Sequence, residues 1–258
     1  MRPVGDFYSE PGMAWSLRSV GPHLHPGSEE ATVALARAAS DHGMATGGVI
    51  LDVASALGAP ARFIARRFAS RIVCVDMDPR MHRAALEGIR REGLSRVIHP
   101  LLARTERLPL AAGSCDGAWS QDALCHMDKD AVLAEVARVL RPGALFAFTD
   151  FIARPSLTKD DLETLRRLWA FPSLFTIARY ASSLDSLGFE LLRAEDRTGA
   201  ILANRTDSLV DDELWWYEFT QEWGEAEATG RLEAGRAWQA LLTQGRAGYA
   251  LFVVRLAP

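Results

Sequence analysis

The sequence predicts an α/β fold, a mostly parallel sheet with helices on both faces and helical insertions near its C-terminal end. Between residues 49 and 149 short apolar runs alternate with segments of helical periodicity. Strands that alternate with helices imply right-handed crossovers and parallel neighbours covered on both faces. The chain has 258 residues, 48% hydrophobic and 24% charged, which suffices for one sizeable core and excludes wholesale disorder.

The elements follow in order. Residues 1–28 are rich in Gly, Pro and His, carry Phe7, Tyr8 and Trp15, and predict an arm packed over the rest rather than a core element. Apolar spacing predicts a helix over 29–39, broken by Gly43, Gly47 and Gly48. Val49–Val53 reads as a buried strand, 60–68 as a helix, 71–75 as a second strand, and 80–92 as a helix ended by Gly93. Strands follow at 97–102 and 117–120, then a helix over 129–140 that stops at Arg141-Pro142-Gly143, then a strand at 144–149. Beyond that, 162–187 and 209–242 read as helical, while 189–195 and 249–255 read as strands. The organisation expected is an arm (1–28), a ligand-binding core (29–152), and a helical lid with the last two strands of the same sheet (153–258).

Net charge and motifs narrow the function classes. A formal charge of -4 and a pI of about 5.9 give no global basic field, so neither nucleic acid nor a membrane surface is the expected partner. The apolar run 247–254 is far too short to span a bilayer. Cys74, Cys115 and Cys125 form no paired framework and no CxxC, and the N-terminus has no apolar signal core, so a reduced cytoplasmic setting is expected. His23 and His25 form an HxH pair without a third ligand at readable spacing, so no metal site is expected. The GxxxxGK[ST], GxSxG and HExxH patterns are missing from the sequence, which leaves phosphate-loop, α/β-hydrolase and zincin readings without support.

In open parallel sheets ligands bind beyond the C-terminal strand ends, where strand order reverses. The first strand runs into Asp52-Val53-Ala54-Ser55-Ala56-Leu57-Gly58, a small-residue turn that lets a ligand approach backbone N–H groups and a helix N-terminus. The second strand ends at Asp76, where an acid is placed to accept hydrogen bonds from ribose hydroxyls. Together these favour a nucleoside-bearing ligand.

Further motifs follow: Leu108-Pro109-Leu110, Cys115-Asp116-Gly117, Ala137-Arg138-Val139-Leu140-Arg141-Pro142-Gly143 and Phe148-Thr149-Asp150. This succession resembles the class I S-adenosylmethionine-dependent methyltransferases over residues 46–152, and more weakly in the final Gly248-Tyr249 strand. Ser120-Gln121-Asp122-Ala123-Leu124-Cys125-His126 is similar to the loop of sarcosine/dimethylglycine and phosphoethanolamine N-methyltransferases and of natural-product small-molecule methyltransferases. The resemblance implies a Rossmann-like fold, S-adenosylmethionine as cofactor, and methyl transfer to nitrogen or oxygen of a small-molecule acceptor, the loop tilting toward an amine. It implies cofactor contacts from Asp52, Ala54, Ser55, Ala56, Gly58, Asp76, Met77, Arg104, Thr105 and Gln121. Asp122 and His126 would face the acceptor, His126 as general base and Asp122 holding its ring, with Asp150 a second partner. The competing role for His126 is a cap on the helix that starts near Asp128. Tyr8, Trp15 and Trp169 are candidate acceptor contacts beside His126.

Two departures stand out. Ala54 and Ala56 replace glycines of the family's first turn, and a Cβ there penalises any positive φ. Arg104 stands where an acid commonly accepts from the adenine amino group, and arginine has no acceptor. They motivate a second reading, a methyltransferase-fold protein that binds a ligand or catalyses another reaction such as a cyclisation.

Overall fold

The computed structural model describes residues 8–202 and 212–258. Phe7, the expected helix start at Leu209 and Asp211 lie outside them. Seven strands form one sheet in the order β3-β2-β1-β4-β5-β7-β6. In chain order these are β1 (Val49–Val53), β2 (Arg71–Asp76), β3 (Ile98–Leu102), β4 (Cys115–Gln121), β5 (Leu140–Ala153), β6 (Phe189–Asp196) and β7 (Ala247–Leu256). β7 runs antiparallel to both β5 and β6, and the pairs from β3 to β5 are parallel. The order reverses between β1 and β4, which puts the ligand-binding crevice at their C-terminal ends.

The strands are short and apolar because each face is covered. Leu51 and Val53 of β1 join Phe146, Phe148 and Phe252 in a core roofed by Val132, Leu133 and Val136 of α5 (Lys129–Val139). Ile50 faces the other way, toward Leu35 of α2 (Ser28–Asp41), Ile64 and Phe68 of α3 (Ala59–Phe68), and Ile89 of α4 (Pro79–Arg91).

The motifs that carried the resemblance hold this sheet together. Asp116 accepts the Val49 N–H at 2.9 Å and pairs with Arg141, joining β1, β4 and the start of β5, which begins at Leu140 and so takes in the expected Arg141-Pro142-Gly143 turn. A Cβ on Gly48 would come within 2.7 Å of the Asp116 carboxylate, so glycine is required there. Glu135 accepts from Leu108 N–H at 2.7 Å, and Arg138 donates to the carbonyls of Leu108 and Leu110 at 3.0 and 2.8 Å. The Leu-Pro-Leu loop is thereby pinned to α5.

The N-terminal and C-terminal parts differ from the expectation in detail. The arm contains a helix, α1 (Glu10–Val20), with Pro11 in its first turn and Gly21 after its end. Trp15, at 7% exposure, inserts between Trp215, Trp216 and Phe219. Periodicity was masked there by the flanking Gly and Pro residues. The helical stretch 162–187 is two helices, α6 (Lys159–Trp169) and α7 (Ile177–Ser186), because Ala170 turns left-handed and Pro172 follows. After the short α8 (Thr198–Leu202) come α9 (Glu213–Trp223) and α10 (Glu225–Thr243), divided by Gly224 at φ 88°. Asp212 caps α9 and pairs with Arg18 of α1. No helix among the described residues is long and apolar enough to cross a membrane.

Candidate active site

At the end of β1 the chain enters a turn through three left-handed residues: Ala54 at φ 55°, Ala56 at φ 45° and Gly58 at φ 68°. Hydrogen bonds hold this path. Ser55 N–H donates to the Val75 carbonyl at 3.0 Å, Gly58 N–H to the Ser55 carbonyl at 2.8 Å, and Ala56 N–H to Asp76 Oδ2 at 2.9 Å. Alanine adopts the conformation a glycine would take, at a cost of about 1–2 kcal/mol per residue. The cradle is therefore formed despite both substitutions.

Two acids stand at the strand ends. Asp76 Oδ1 accepts Asp78 N–H at 2.9 Å, so its carboxylate braces the turn on one side and the start of α4 on the other. Burial raises its pKa against the effect of these bonds. Asp52 is 2% exposed and its Oδ2 has no hydrogen-bond partner. Burial raises its pKa well above the ordinary carboxylate range, and the neighbouring Asp76 adds to the rise. A buried oxygen left unsatisfied is costly, and it marks where a ligand donor fits.

The remaining cofactor candidates are placed unevenly. Met77 is exposed beside the turn. Arg104 points to solvent and pairs with Glu106 at 3.3 Å. Thr105 is buried, its hydroxyl donating to Met127 Sδ at 3.3 Å. Gln121 Oε1 accepts from Trp119 Nε1 at 3.0 Å and from the Thr32 hydroxyl at 3.1 Å, while its Nε2 is buried without a partner. His23 and His25 approach the same Thr32 hydroxyl at 2.9 and 3.2 Å. They tie the end of the arm to α2 and β4. Among the described residues no group of three or more His, Cys, Asp or Glu is arranged to hold a metal ion.

Asp122 and His126 lie just past β4. Asp122 is left-handed at φ 52°. Its Oδ1 accepts the Thr149 hydroxyl at 2.6 Å and its N–H donates to the Thr149 carbonyl at 3.0 Å. Burial pushes its pKa up to about 8, with Thr149 and the Tyr249 hydroxyl pulling the other way. His126 closes a short turn, Leu124–His126, with its ring edge-on to Phe171 at 4.9 Å and Tyr8 at 5.8 Å. Burial depresses its pKa to about 4; the Ala170 backbone opposes this shift and the Lys129 charge adds to it. The cap of α5 is Asp128, whose side chain accepts Ala131 N–H at 3.2 Å, so His126 does not fill that role. Asp122 is held by Thr149, not set against the imidazole as its orienting partner. Asp150 sits beneath the turn: it accepts Cys125 N–H at 2.9 Å and the Tyr180 hydroxyl. This clamp fixes the residue before His126.

Beside these two residues opens a cavity of about 250 Å³, lined by Tyr8, Trp15, Asp122, His126 and Trp169 together with residues of α10. Trp169 Nε1 donates to the Ala234 carbonyl at 3.0 Å, which fixes its ring in the wall. The Tyr8 hydroxyl has a raised pKa, mainly from burial, with Cys125, Asp122 and Asp76 adding. Sequence reading passed over Trp238, Arg231, Thr149, Tyr180 and Tyr249. The Phe148-Thr149-Asp150 strand end was a usable signal for Thr149, but nothing local marked the residues of α10.

Residues 51–148 match the family profile described as methyltransferase domain. The chain is 32% identical over 148 residues to the glycine/sarcosine/dimethylglycine N-methyltransferase of Actinopolyspora halophila, covering 57% of this chain and 26% of that protein. It is also 32% identical over 159 residues to methyltransferase GfsG of Streptomyces halstedii, covering 59% and 56%. The chain thus spans about half, or less, of the length of these curated relatives. Among solved structures, a Galdieria sulphuraria chain assigned as a sarcosine dimethylglycine methyltransferase superposes with a TM-score of 0.87 at 20% identity, covering 97% of this chain and 98% of that one.

Proposed function

We propose that the protein, whose residues 51–148 match the methyltransferase domain profile, transfers a methyl group from S-adenosylmethionine to a nitrogen or oxygen of a small-molecule acceptor. The observation that carries this reading is the turn after β1, with Ala54, Ala56 and Gly58 all left-handed above the unpartnered Oδ2 of buried Asp52. That cradle fits the cofactor. Asp52 would accept from the ammonium of its methionine part, Asp76 from the ribose hydroxyls, and Gln121 Nε2 would donate from the end of β4. Ser55, Met77 and Thr105 would contact the same cofactor, whereas Arg104 is paired with Glu106. When bound, the cofactor supplies a methyl carbon on a sulfonium, and the carbon–sulfur electron pair stays with sulfur as the methyl leaves.

The chain's own residues would align and enclose. Tyr8, Trp15 and Trp169 hold the acceptor and exclude water, which strengthens the effect of alignment. His126, neutral at physiological pH, takes the proton released by the acceptor. Asp122 carries its proton at neutral pH and so can donate a hydrogen bond to the acceptor. Because the turn at Ala54 and Ala56 is intact, these alanines do not favour loss of methyl transfer. The three cysteines are free and buried, which agrees with a reducing cytoplasmic compartment.

The test is titration calorimetry with S-adenosylhomocysteine. Binding that weakens in Asp52→Asn and Asp76→Ala supports the reading; a parent protein that takes up neither S-adenosylhomocysteine nor S-adenosylmethionine would sink it.

A further inference from the structure

One wall of the cavity beside His126 is a block of aromatic side chains, and the uncharged polar residues Ser16, Ser19 and Gln239 line it elsewhere. Phe151, Phe171, Trp169 and Trp238 pack on one another with ring centroids 4.6–6.1 Å apart, and Trp15 closes the arm side. Among the described lining residues Arg231 is the one cation, and it is spoken for: Nη2 lies 2.7 Å from Glu227 four residues earlier, and the same nitrogen lies 3.4 Å from Ser9 Oγ. The pair contributes no net charge. The remaining carboxyl, Asp122, gives Oδ1 to the Thr149 hydroxyl at 2.6 Å and leaves Oδ2 buried without a hydrogen-bond partner. A carboxylate or phosphate brought into such a space loses its hydration and meets no free cation, and an ammonium meets only a carboxyl that burial keeps protonated.

Resting on the proposed methyl transfer, we propose that the acceptor is a neutral, largely apolar molecule of ring-system size that presents a hydroxyl to His126, not a zwitterionic or phosphorylated amine. The volume, about 250 Å³, stands just below the usual range for small-molecule pockets of about 300–1,000 Å³. That matches one or two fused rings. The acid–base state of the site agrees. When a hydroxyl oxygen takes the methyl, the carbon–sulfur bond breaks toward sulfur and the oxygen becomes a protonated ether, a very strong acid. An imidazole depressed to about 4 still removes that proton. The same imidazole does not deprotonate an ammonium, which holds its proton far more tightly. A hydroxyl acceptor departs from the tilt toward an amine that the loop sequence suggests.

The test uses 2-naphthol as probe, titrated by quenching of tryptophan fluorescence in the presence of S-adenosylhomocysteine. The comparison set is 2-naphthylmethylamine (a cation at neutral pH), sarcosine and phosphoethanolamine. The expected result is 2-naphthol binding at least tenfold tighter than any of the three. Gly230 lines the cavity and is exposed, and a Cβ added there meets nothing within 4 Å. Gly230→Trp should therefore fold normally, obstruct the mouth, and weaken 2-naphthol tenfold or more while S-adenosylhomocysteine affinity holds. Equal or tighter binding of the ammonium would overturn the proposal, as would no binding of 2-naphthol. So would 2-naphthol binding that neither Gly230→Trp nor Trp238→Leu disturbs, since the probe would then sit elsewhere. If 2-naphthol binds as expected but S-adenosylhomocysteine does not, the cavity assignment stands and the methyl-transfer reading fails instead.

Discussion

Replacing Ala54 and Ala56 by glycine should stabilise this protein, against the usual cost of adding glycine to a chain. The two alanines sit at φ 55° and φ 45°, where the left-handed conformation costs an alanine about 1–2 kcal/mol. Glycine removes that cost but gives the unfolded chain more freedom, which takes back about 0.4–1 kcal/mol at each site. The balance for the double variant is a gain of about 1–2 kcal/mol. For a chain of 258 residues, each kcal/mol moves the melting temperature by about 2 °C, so the expected shift is about +2 to +4 °C. The hydrogen bonds that shape the turn come from backbone groups of Ser55, Ala56 and Gly58, and none is lost on removing a methyl. Scanning calorimetry of parent and double variant measures the shift. Titration with S-adenosylhomocysteine, run beside it, should show equal or tighter binding. A variant that melts several degrees lower, or binds markedly more weakly with its fold intact, would show that the two methyls make contacts worth more than the strain, and the steric argument would fail.

Other outcomes follow from the same geometry. Asp76→Ala removes the acceptor for Ala56 N–H and Asp78 N–H and should weaken S-adenosylhomocysteine binding by about 1–3 kcal/mol; calorimetry reads this directly. Gly48→Ala forces a Cβ to 2.7 Å from an Asp116 carboxylate already bound to Val49 and Arg141, so a loss of about 1–3 kcal/mol in urea unfolding is expected. His126→Ala should slow single-turnover methyl transfer by about 10²–10⁴-fold. Because the neutral ring is the base and its pKa is held at about 4, the parent rate should fall on the acid side as pH drops toward 4, and on the alkaline side as Asp122 loses its proton at about 8. A mid-point near the ordinary histidine value would contradict the buried setting. His25, 2% exposed, is likewise depressed to about 4 by burial. Between the ordinary pKa of about 6.5 and about 4, the unfolded chain binds a proton that the folded one does not. Stability should therefore fall as pH is lowered through that window, and His25→Gln should flatten the pH dependence of the melting temperature.

Some of this protein was fixed by local sequence. The alternation of apolar runs and helical segments between residues 49 and 149 placed β1 to β5 and their helices, because burial on both faces leaves a periodicity any short window records. The motifs Leu108-Pro109, Asp116 and Arg138–Gly143 were legible as short strings, and the structure shows what they do: Glu135, Arg138, Asp116 and Arg141 tie the loop and strands together across 25 to 67 residues of chain. The two acids at the ends of β1 and β2 were readable because a parallel sheet leaves its strand ends in one place. Other features depended on contacts between segments far apart in the chain. Trp15 reads as part of a Gly- and Pro-rich arm until Trp215 and Phe219, some 200 residues later, enclose it. The cavity walls come from α1, α6 and α10, whose apolar residues look like ordinary core when each helix is read alone. His126 and Asp122 invite pairing by their spacing, yet the Thr149 hydroxyl takes Asp122 and burial sets the imidazole near a pKa of about 4. The order of residues names the groups that reach the strand ends; the charge each one carries there follows from what the folded chain removes from water.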